Sequence, residues 1–108
     1  MKRFEVWVAD FDPSTGSEMR KKRPAVIIGP KEMNQAYSRM TIIAPLTSTI
    51  KNYPTRVPTT FENQGGEIAL DQMRSIDKTR LIKKIGLISN EEAKDVCDLL
   101  AVMFIYED

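Results

Sequence analysis

The chain has 108 residues, 16 Lys and Arg against 15 Asp and Glu, and an apolar content of 42%. This length fits one domain, residues 1–108, that can fold without disulfides. The sequence contains no histidine and only one cysteine, which excludes histidine-based catalytic triads, most zinc sites and disulfide frameworks. The longest apolar run is too short to cross a bilayer and no leader-like segment opens the sequence, so we expect a cytoplasmic protein.

Most of the chain has the pattern of short β-strands. Residues 4–11 present apolar side chains on both faces of a strand, which is typical of an interior position in a sheet. Pro58 cannot donate a backbone hydrogen bond, so residues 56–61 are predicted to form an edge strand. Further strands are predicted at residues 25–28, 40–46, 67–76 and 84–88, with a tight turn at residues 63–66.

The last predicted element is a helix. Ser89 and Glu92 have the spacing of a capping box, and apolar residues then recur at helical intervals with charged residues opposite. Beyond Leu99 the segment is apolar all round, which predicts burial on two sides, for example at a subunit interface. The elements together indicate a mainly β (α+β) fold, with a strongly bent sheet or partly open barrel and a C-terminal α-helix.

Charge is distributed unevenly along the chain. Residues 1–60 carry ten Lys and Arg against five Asp and Glu, whereas residues 90–108 carry one lysine against six acidic residues. A basic body balanced by an acidic end is typical of an anion-binding surface. Scattered surface charge would explain the same counts.

The densest basic segment has four cations in succession, Arg20, Lys21, Lys22 and Arg23. Such a patch attracts phosphate groups. Arg23 differs from the other three because Pro24 and a buried strand follow it, which restrict its backbone and allow its guanidinium to be aimed. The alternative is a solvated basic loop that only steers ligands towards the protein.

Hydroxyl side chains follow the strand predicted at residues 40–46. Thr47, Ser48 and Thr49 could hold phosphate oxygens, although capping the strand and turning the chain is a common use of these residues. In the loop beyond them, Lys51 and Tyr53 supply a cation and an aromatic ring on which a base could stack. A plain connecting loop would contain the same residues.

A third polar set lies in the strand predicted at residues 67–76. Gln72 and Arg74 are two positions apart and would share one face, with Asp71 on the other. Gln and Arg can both read base edges through paired hydrogen bonds. An amphipathic strand with a salt bridge explains the same residues.

Taken together, these segments resemble the MazF/PemK toxin family. Six blocks occur in the order and spacing of that family: residues 6–7 with 10–13, 16–18, 23–26, 44–48, 70–77 and 84–86. The resemblance implies an SH3-like small β-barrel with a C-terminal helix. It also implies a homodimeric toxin of a type II toxin–antitoxin system that cleaves single-stranded RNA, independently of the ribosome and of metal ions, to 2′,3′-cyclic phosphate and 5′-hydroxyl ends.

The resemblance also implies roles for individual residues. Arg23 would stabilise the phosphorane, Thr47 would hydrogen-bond a non-bridging oxygen, and Glu18 would be the general base. In some PemK-type members an Arg and an Asp two residues apart act as acid and base, but here those positions are Ala69 and Asp71. The substrate-binding set implied is Ser17, Arg20, Lys21, Lys22, Ser48, Lys51, Tyr53, Asp71, Gln72 and Arg74.

No cofactor is implied, and the implied protein partner is an antitoxin with an acidic disordered tail. Two alternatives of other classes remain at this stage. One is a non-catalytic toxin of the CcdB type, which has a similar barrel and acts on DNA gyrase. The other is an RNA-binding module without activity.

Overall fold

The computed structural model describes residues 1–11 and 22–107, which form a curled antiparallel sheet with a helix at its C-terminal end. The strands are β1 (Glu5–Asp10), β2 (Lys22–Ile27), β3 (Met40–Thr47), β4 (Arg56–Phe61), β5 (Gln64–Ala69), β6 (Arg74–Asp77) and β7 (Leu81–Leu87). Short 3-10 turns lie at Lys31–Asn34, Leu70–Gln72 and Lys78–Arg80, and helix α1 spans Asn90–Met103. The expected mainly β fold with a strongly bent antiparallel sheet and a terminal helix is confirmed.

The strand order shows which strands lie inside the sheet and which lie at its ends. The strands are arranged β4-β5-β3-β2-β1-β7, and β6 pairs with β3. Strand β1 lies between β2 and β7, in the interior position predicted from its two apolar faces. Strand β4 lies at the end of this order, as Pro58 predicts.

Alternating side chains bury both faces of the sheet. One hydrophobic cluster lies between the sheet and α1 and includes the fully buried Val6, Ile68 and Val96. A second cluster on the other face includes Ala9, with Trp7 packed against it. The indole N–H of Trp7 donates a hydrogen bond to the buried carboxylate of Glu5 at 2.9 Å. The sheet is therefore fixed from both sides, which gives the strand ends defined positions.

Helix α1 begins with the predicted capping box. The Ser89 hydroxyl accepts a bond from the Glu92 backbone N–H at 3.0 Å, and the Glu92 carboxylate accepts one from the Ser89 N–H at 2.9 Å. The same carboxylate accepts the Thr59 hydroxyl of β4 at 2.6 Å, which ties the helix to the sheet. Past the helix centre, Val102 is 66% exposed, so this chain alone does not bury the segment on two sides. Among the described residues, no helix is long and apolar enough to span a membrane.

The turn predicted at residues 63–66 is misplaced by one residue at its start and by three at its end. Phe61 pairs with Gln64, so the hairpin turns at Glu62 and Asn63. Both of these residues have positive φ, 52° and 64°, as the centre of a two-residue type I′ turn requires. Strand β5 consequently begins at Gln64, and the glycines that suggested the turn lie within the ladder.

The strand predicted at residues 67–76 is also interrupted. Strand β5 ends at Ala69 and β6 begins at Arg74, although both pair with β3. The register against β3 changes by three residues between them, because Leu46 opposes Ile68 whereas Ile43 opposes Arg74. The extra residues leave the ladder as a 3-10 turn, so the prediction that Gln72 and Arg74 share one strand face is wrong.

Gly66 is required where β5 passes the backbone of β3. A β-carbon at Gly66 would lie 2.3 Å from the carbonyl oxygen of Thr47. Since overpacking of this kind costs about 1–3 kcal/mol, we expect Gly66→Ala to lower the free energy of unfolding by about that amount, measured by urea denaturation. Gly65→Ala is the matched control, because a β-carbon there meets no described atom within 4 Å. Equal stability of the two variants would contradict the close approach.

Candidate active site

Arg23 and Thr47 lie at the ends of neighbouring strands. Ala25 of β2 opposes Pro45 of β3. Arg23 and Thr47 lie two residues beyond this last pair of the ladder, so by the two-residue period of a strand both are at the same end and on the same face of the sheet. Arg23 is exposed and Thr47 is half-buried, so both side chains are available to one ligand.

A pocket of about 420 Å³ brings these two residues together. Its walls come from the start of β2, the end of β3 and the β4–β5 hairpin. Within residues 1–11 and 22–107, Arg23 makes no ion pair. A guanidinium that these residues do not neutralise, next to neutral hydroxyls, suits a phosphate group. The described residues that line the pocket are Arg23, Pro24, Leu46, Thr47, Ser48, Thr49, Thr59, Phe61, Glu62, Gln64, Gly65 and Gly66.

The hydroxyl of Thr47 is oriented by its own loop. Its oxygen accepts a hydrogen bond from the backbone N–H of Thr49 at 3.1 Å. Because that bond uses an oxygen lone pair, the hydroxyl hydrogen can still be donated to a ligand. Such a neutral donor can stabilise developing negative charge on an oxygen.

A group of interacting side chains, which we call the Arg56 cluster, lies beside the end of β3 and has Arg56 and Glu67 as its buried members. It consists of Arg56, Glu67, Asp71 and Tyr53. The Arg56 side chain is only 5% exposed and binds Asp71 through Nε at 2.6 Å and Nη2 at 3.4 Å. Its Nη1 binds Glu67 at 3.1 Å, and Glu67 opposes Thr47 in the ladder between β3 and β5. One guanidinium therefore joins two carboxylates from different segments.

The Arg56 cluster also holds the loop between β3 and β4. The two carboxylate oxygens of Glu67 accept the backbone N–H groups of Lys51 and Asn52 at 3.1 and 3.0 Å. The guanidinium carbon of Arg56 lies 5.0 Å from the centre of the Tyr53 ring, within cation–π distance. The loop is thus attached to the sheet at three consecutive residues.

Hydrogen bonds keep both carboxylates of the cluster ionised. The backbone N–H of Lys51, followed by that of Asn52 and by Arg56, lowers the pKa of Glu67 against the opposing effect of burial. The hydrogen bond from Arg56 lowers the pKa of Asp71. A carboxylate that is held ionised is a weak base, so these contacts disfavour Asp71 as a general base.

The other predicted site residues are spread over the surface. Lys22 is exposed beside Arg23, and Gln72 is exposed beside Asp71. Arg74 lies 5.8 Å from the ring of Phe11, in a contact separate from the Arg56 cluster. In the part of the chain that the structure describes, no group of three or more Cys, Asp or Glu side chains is arranged to hold a metal ion. Ser17, Glu18, Arg20 and Lys21 lie outside the described residues.

Sequence reasoning did not single out Arg56, Glu67 or Glu62. Arg56 and Glu67 are opposite charges in neighbouring β-segments, and that pattern is the signal that could have found them. Glu62 lines the pocket because the hairpin turns at that residue. Its place there depends on the turn, which the sequence analysis put further along the chain.

Known proteins match almost the whole chain. A family model described as PemK-like, MazF-like toxin of type II toxin-antitoxin system matches residues 2–104. Endoribonuclease MazF9 of Mycobacterium tuberculosis is 33% identical over 109 residues, covering 93% of this chain and 92% of the relative. Endoribonuclease MazF of Staphylococcus saprophyticus is 34% identical over 104 residues, covering 89% and 84%.

Solved structures share the fold. A chain in the crystal structure of MazE-MazF (Form-II) from Deinococcus radiodurans superposes with a TM-score of 0.79 at 24% identity, covering 95% of this chain and 94% of that one. The toxin MazF-mt6 of Mycobacterium tuberculosis gives 0.77 at 20% identity, covering 96% and 99%. The family match over residues 2–104 and the two relatives show that this chain belongs to the PemK-like, MazF-like family of toxins of type II toxin–antitoxin systems.

Proposed function

We propose that this toxin is an endoribonuclease that cleaves single-stranded RNA at short sequences and leaves 2′,3′-cyclic phosphate and 5′-hydroxyl ends. Both relatives described above bear the name endoribonuclease. The observation that carries the proposal is the shared pocket of Arg23 and Thr47. Since the RNA supplies its own 2′-hydroxyl as nucleophile, the protein has to orient the phosphate, stabilise its added charge and move protons.

The two pocket residues divide this work. Arginine stays charged at physiological pH and presents a planar fork of donors, so Arg23 binds two oxygens of the phosphorane. Thr47 donates its hydroxyl to a non-bridging oxygen. Glu18 remains our proposed general base on the strength of the family resemblance alone. The alternatives, a toxin of the CcdB type that acts on gyrase and an inactive RNA-binding module, are not favoured by the relatives.

We also propose a partner antitoxin whose acidic, disordered tail covers the pocket. The Deinococcus radiodurans structure is named as a MazE-MazF complex, which supports an antitoxin partner for this chain. Arg23 and Lys22 are exposed cations at the same strand end. They attract acidic side chains for the same reason that they attract phosphate, and a disordered tail folds when it binds.

A homodimer is part of the proposal. The chain after residue 101 presents a run of apolar side chains to solvent, which is unusual for a surface that stays uncovered. A second copy of the chain would bury them and would satisfy the apolar pattern seen in the sequence. In this run Val102, Phe104, Ile105 and Tyr106 are 65–86% exposed, and Leu87 at the end of β7 is 61% exposed.

We expect Arg23→Ala and Thr47→Ala each to reduce the rate of RNA cleavage by about 10²–10³, because each removes one preorganised donor to the transition state. The rate is measured on a defined transcript in EDTA, with gel analysis of the fragments. Arg39→Ala and Thr60→Ala are matched controls. The Arg39 side chain is 85% exposed and pairs with Asp77, and Thr60 is exposed on β4 outside the pocket.

Three results of this assay distinguish the proposed function from its alternatives. Defined fragments from the unmodified protein support the nuclease, whereas a shifted but intact transcript indicates a binding module. No effect on RNA favours the gyrase-directed class. If Arg23→Ala cleaves within a few-fold of the unmodified protein, the role given to Arg23 is wrong.

We expect antitoxin and RNA to compete for the toxin. A fluorescent RNA bound to the toxin should be displaced as the antitoxin is added, which fluorescence anisotropy follows. Arg23→Ala should weaken the binding of both RNA and antitoxin, because Arg23 lines the pocket. Arg39→Ala should weaken the binding of neither, because Arg39 does not line it. A ternary complex with unchanged RNA affinity would contradict the shared site.

A further inference from the structure

We infer that Arg56 is a positioning residue for RNA recognition: its buried guanidinium holds the loop at residues 51–53 and the turn at Leu70–Gln72 together as one surface beside the Arg23–Thr47 pocket. This inference rests on the proposed ribonuclease function. It extends that function because it assigns sequence recognition to an arginine that the RNA does not touch.

The guanidinium has the geometry of a bridge. Its Nε and Nη2 atoms face Asp71 in the turn, at 2.6 and 3.4 Å, while Nη1 faces Glu67 at 3.1 Å. A planar fork fixes two carboxylates relative to each other, which a single ammonium group cannot do. Arg56 therefore connects Asp71 of the turn to the carboxylate of Glu67, which in turn holds the loop at residues 51–53.

Glu67 transmits this constraint to the loop. Its two oxygens receive consecutive backbone N–H groups, from Lys51 and Asn52. Asn52 has a φ of 57°, a left-handed conformation that asparagine adopts more readily than most residues with a β-carbon. The carboxylate accepts the backbone N–H groups of the loop in this conformation, so the loop depends on Glu67 remaining in place and ionised.

The loop and the turn both present groups suited to RNA. Tyr53 is 47% exposed while its ring contacts Arg56, so the ring is held in position and is still accessible to a base. Lys51 and Gln72 are exposed on the two segments that the cluster joins. Aromatic rings stack on unpaired bases, and Gln side chains hydrogen-bond base edges.

Stability alone is a weak reason to bury Arg56 and Glu67, with Asp71 at the surface 29% exposed. A buried ion pair costs desolvation energy, and apolar residues of similar volume often stabilise a fold as well or better. What the Arg56 cluster provides is geometry, because it fixes two surface segments relative to each other. Glu67 also opposes Thr47, so the positioned surface is continuous with the pocket.

The test compares Arg56→Lys, which keeps the charge but loses the fork, with the unmodified protein. We expect KM for a defined RNA to rise about tenfold and the preferred cleavage sequence to become less strict, since recognition contacts are displaced. We expect kcat at the original site to change less than about threefold, because Arg23 and Thr47 remain in place. Amide exchange at Lys51 and Asn52 should become at least about tenfold faster.

Glu67→Gln is the second variant and carries the test if Arg56→Lys does not fold. Its neutral amide keeps the shape of the side chain, and we expect the same pattern of higher KM, weaker sequence preference and faster exchange. Glu5→Gln is the matched control, because Glu5 is also a buried carboxylate, bound to Trp7 and Lys84, and does not line the pocket. It should leave KM and the cleavage sequence unchanged.

Two results would overturn the inference. One is unchanged KM, cleavage sequence and amide exchange in both Arg56→Lys and Glu67→Gln. The other is an equal change in Glu5→Gln, which would reflect general destabilisation. If the unmodified protein does not cleave RNA, the proposed function fails and the role of Arg56 in recognition fails with it. Amide exchange at Lys51 and Asn52 then shows separately whether Arg56 orders the loop.

Discussion

Strand β3 is shared by three neighbours, and its pairings fix the positions on which the proposed chemistry depends. Its register with β2 places Arg23 and Thr47 at the same end of the sheet. Its register with β5 sets Glu67 opposite Thr47, and the changed register with β6 pushes the turn that carries Asp71 out of the ladder. Because β3 determines all three placements, the pocket and the Arg56 cluster are adjacent parts of one structural unit.

Local patterns predicted the fold wherever a local cause decides it. Three local patterns predicted the position of an element: the two apolar faces of β1, Pro58 in the edge strand and the capping box at Ser89. The physical cause of each lies within a few neighbouring residues. The hairpin was misplaced because glycines suggested a turn, whereas Gly66 serves the close approach of β5 to Thr47. That approach is a tertiary contact, which no window of the sequence contains. The break between β5 and β6 also depends on tertiary pairing, because it lies where the register against β3 changes.

The site was predictable to a different degree for each residue. Arg23 and Thr47 were singled out from their sequence context and given roles by the family resemblance; the structure brings both to one pocket, while their roles remain proposals. Arg56 was not singled out because a charged residue in an edge strand usually faces solvent. Its burial depends on Glu67 and Asp71 reaching it from segments whose register the sequence does not reveal.

Trp7 has a consequence for spectroscopy, since it is the one tryptophan in the chain. Its indole is bonded to Glu5 within β1, and Trp7 is not among the described residues that line the pocket. The intrinsic fluorescence of the protein therefore reports on the β1 region of the sheet. A change in emission when a ligand occupies the pocket would show that ligand binding alters the structure of β1, across β2. Unchanged emission would show that any structural change is confined to the pocket.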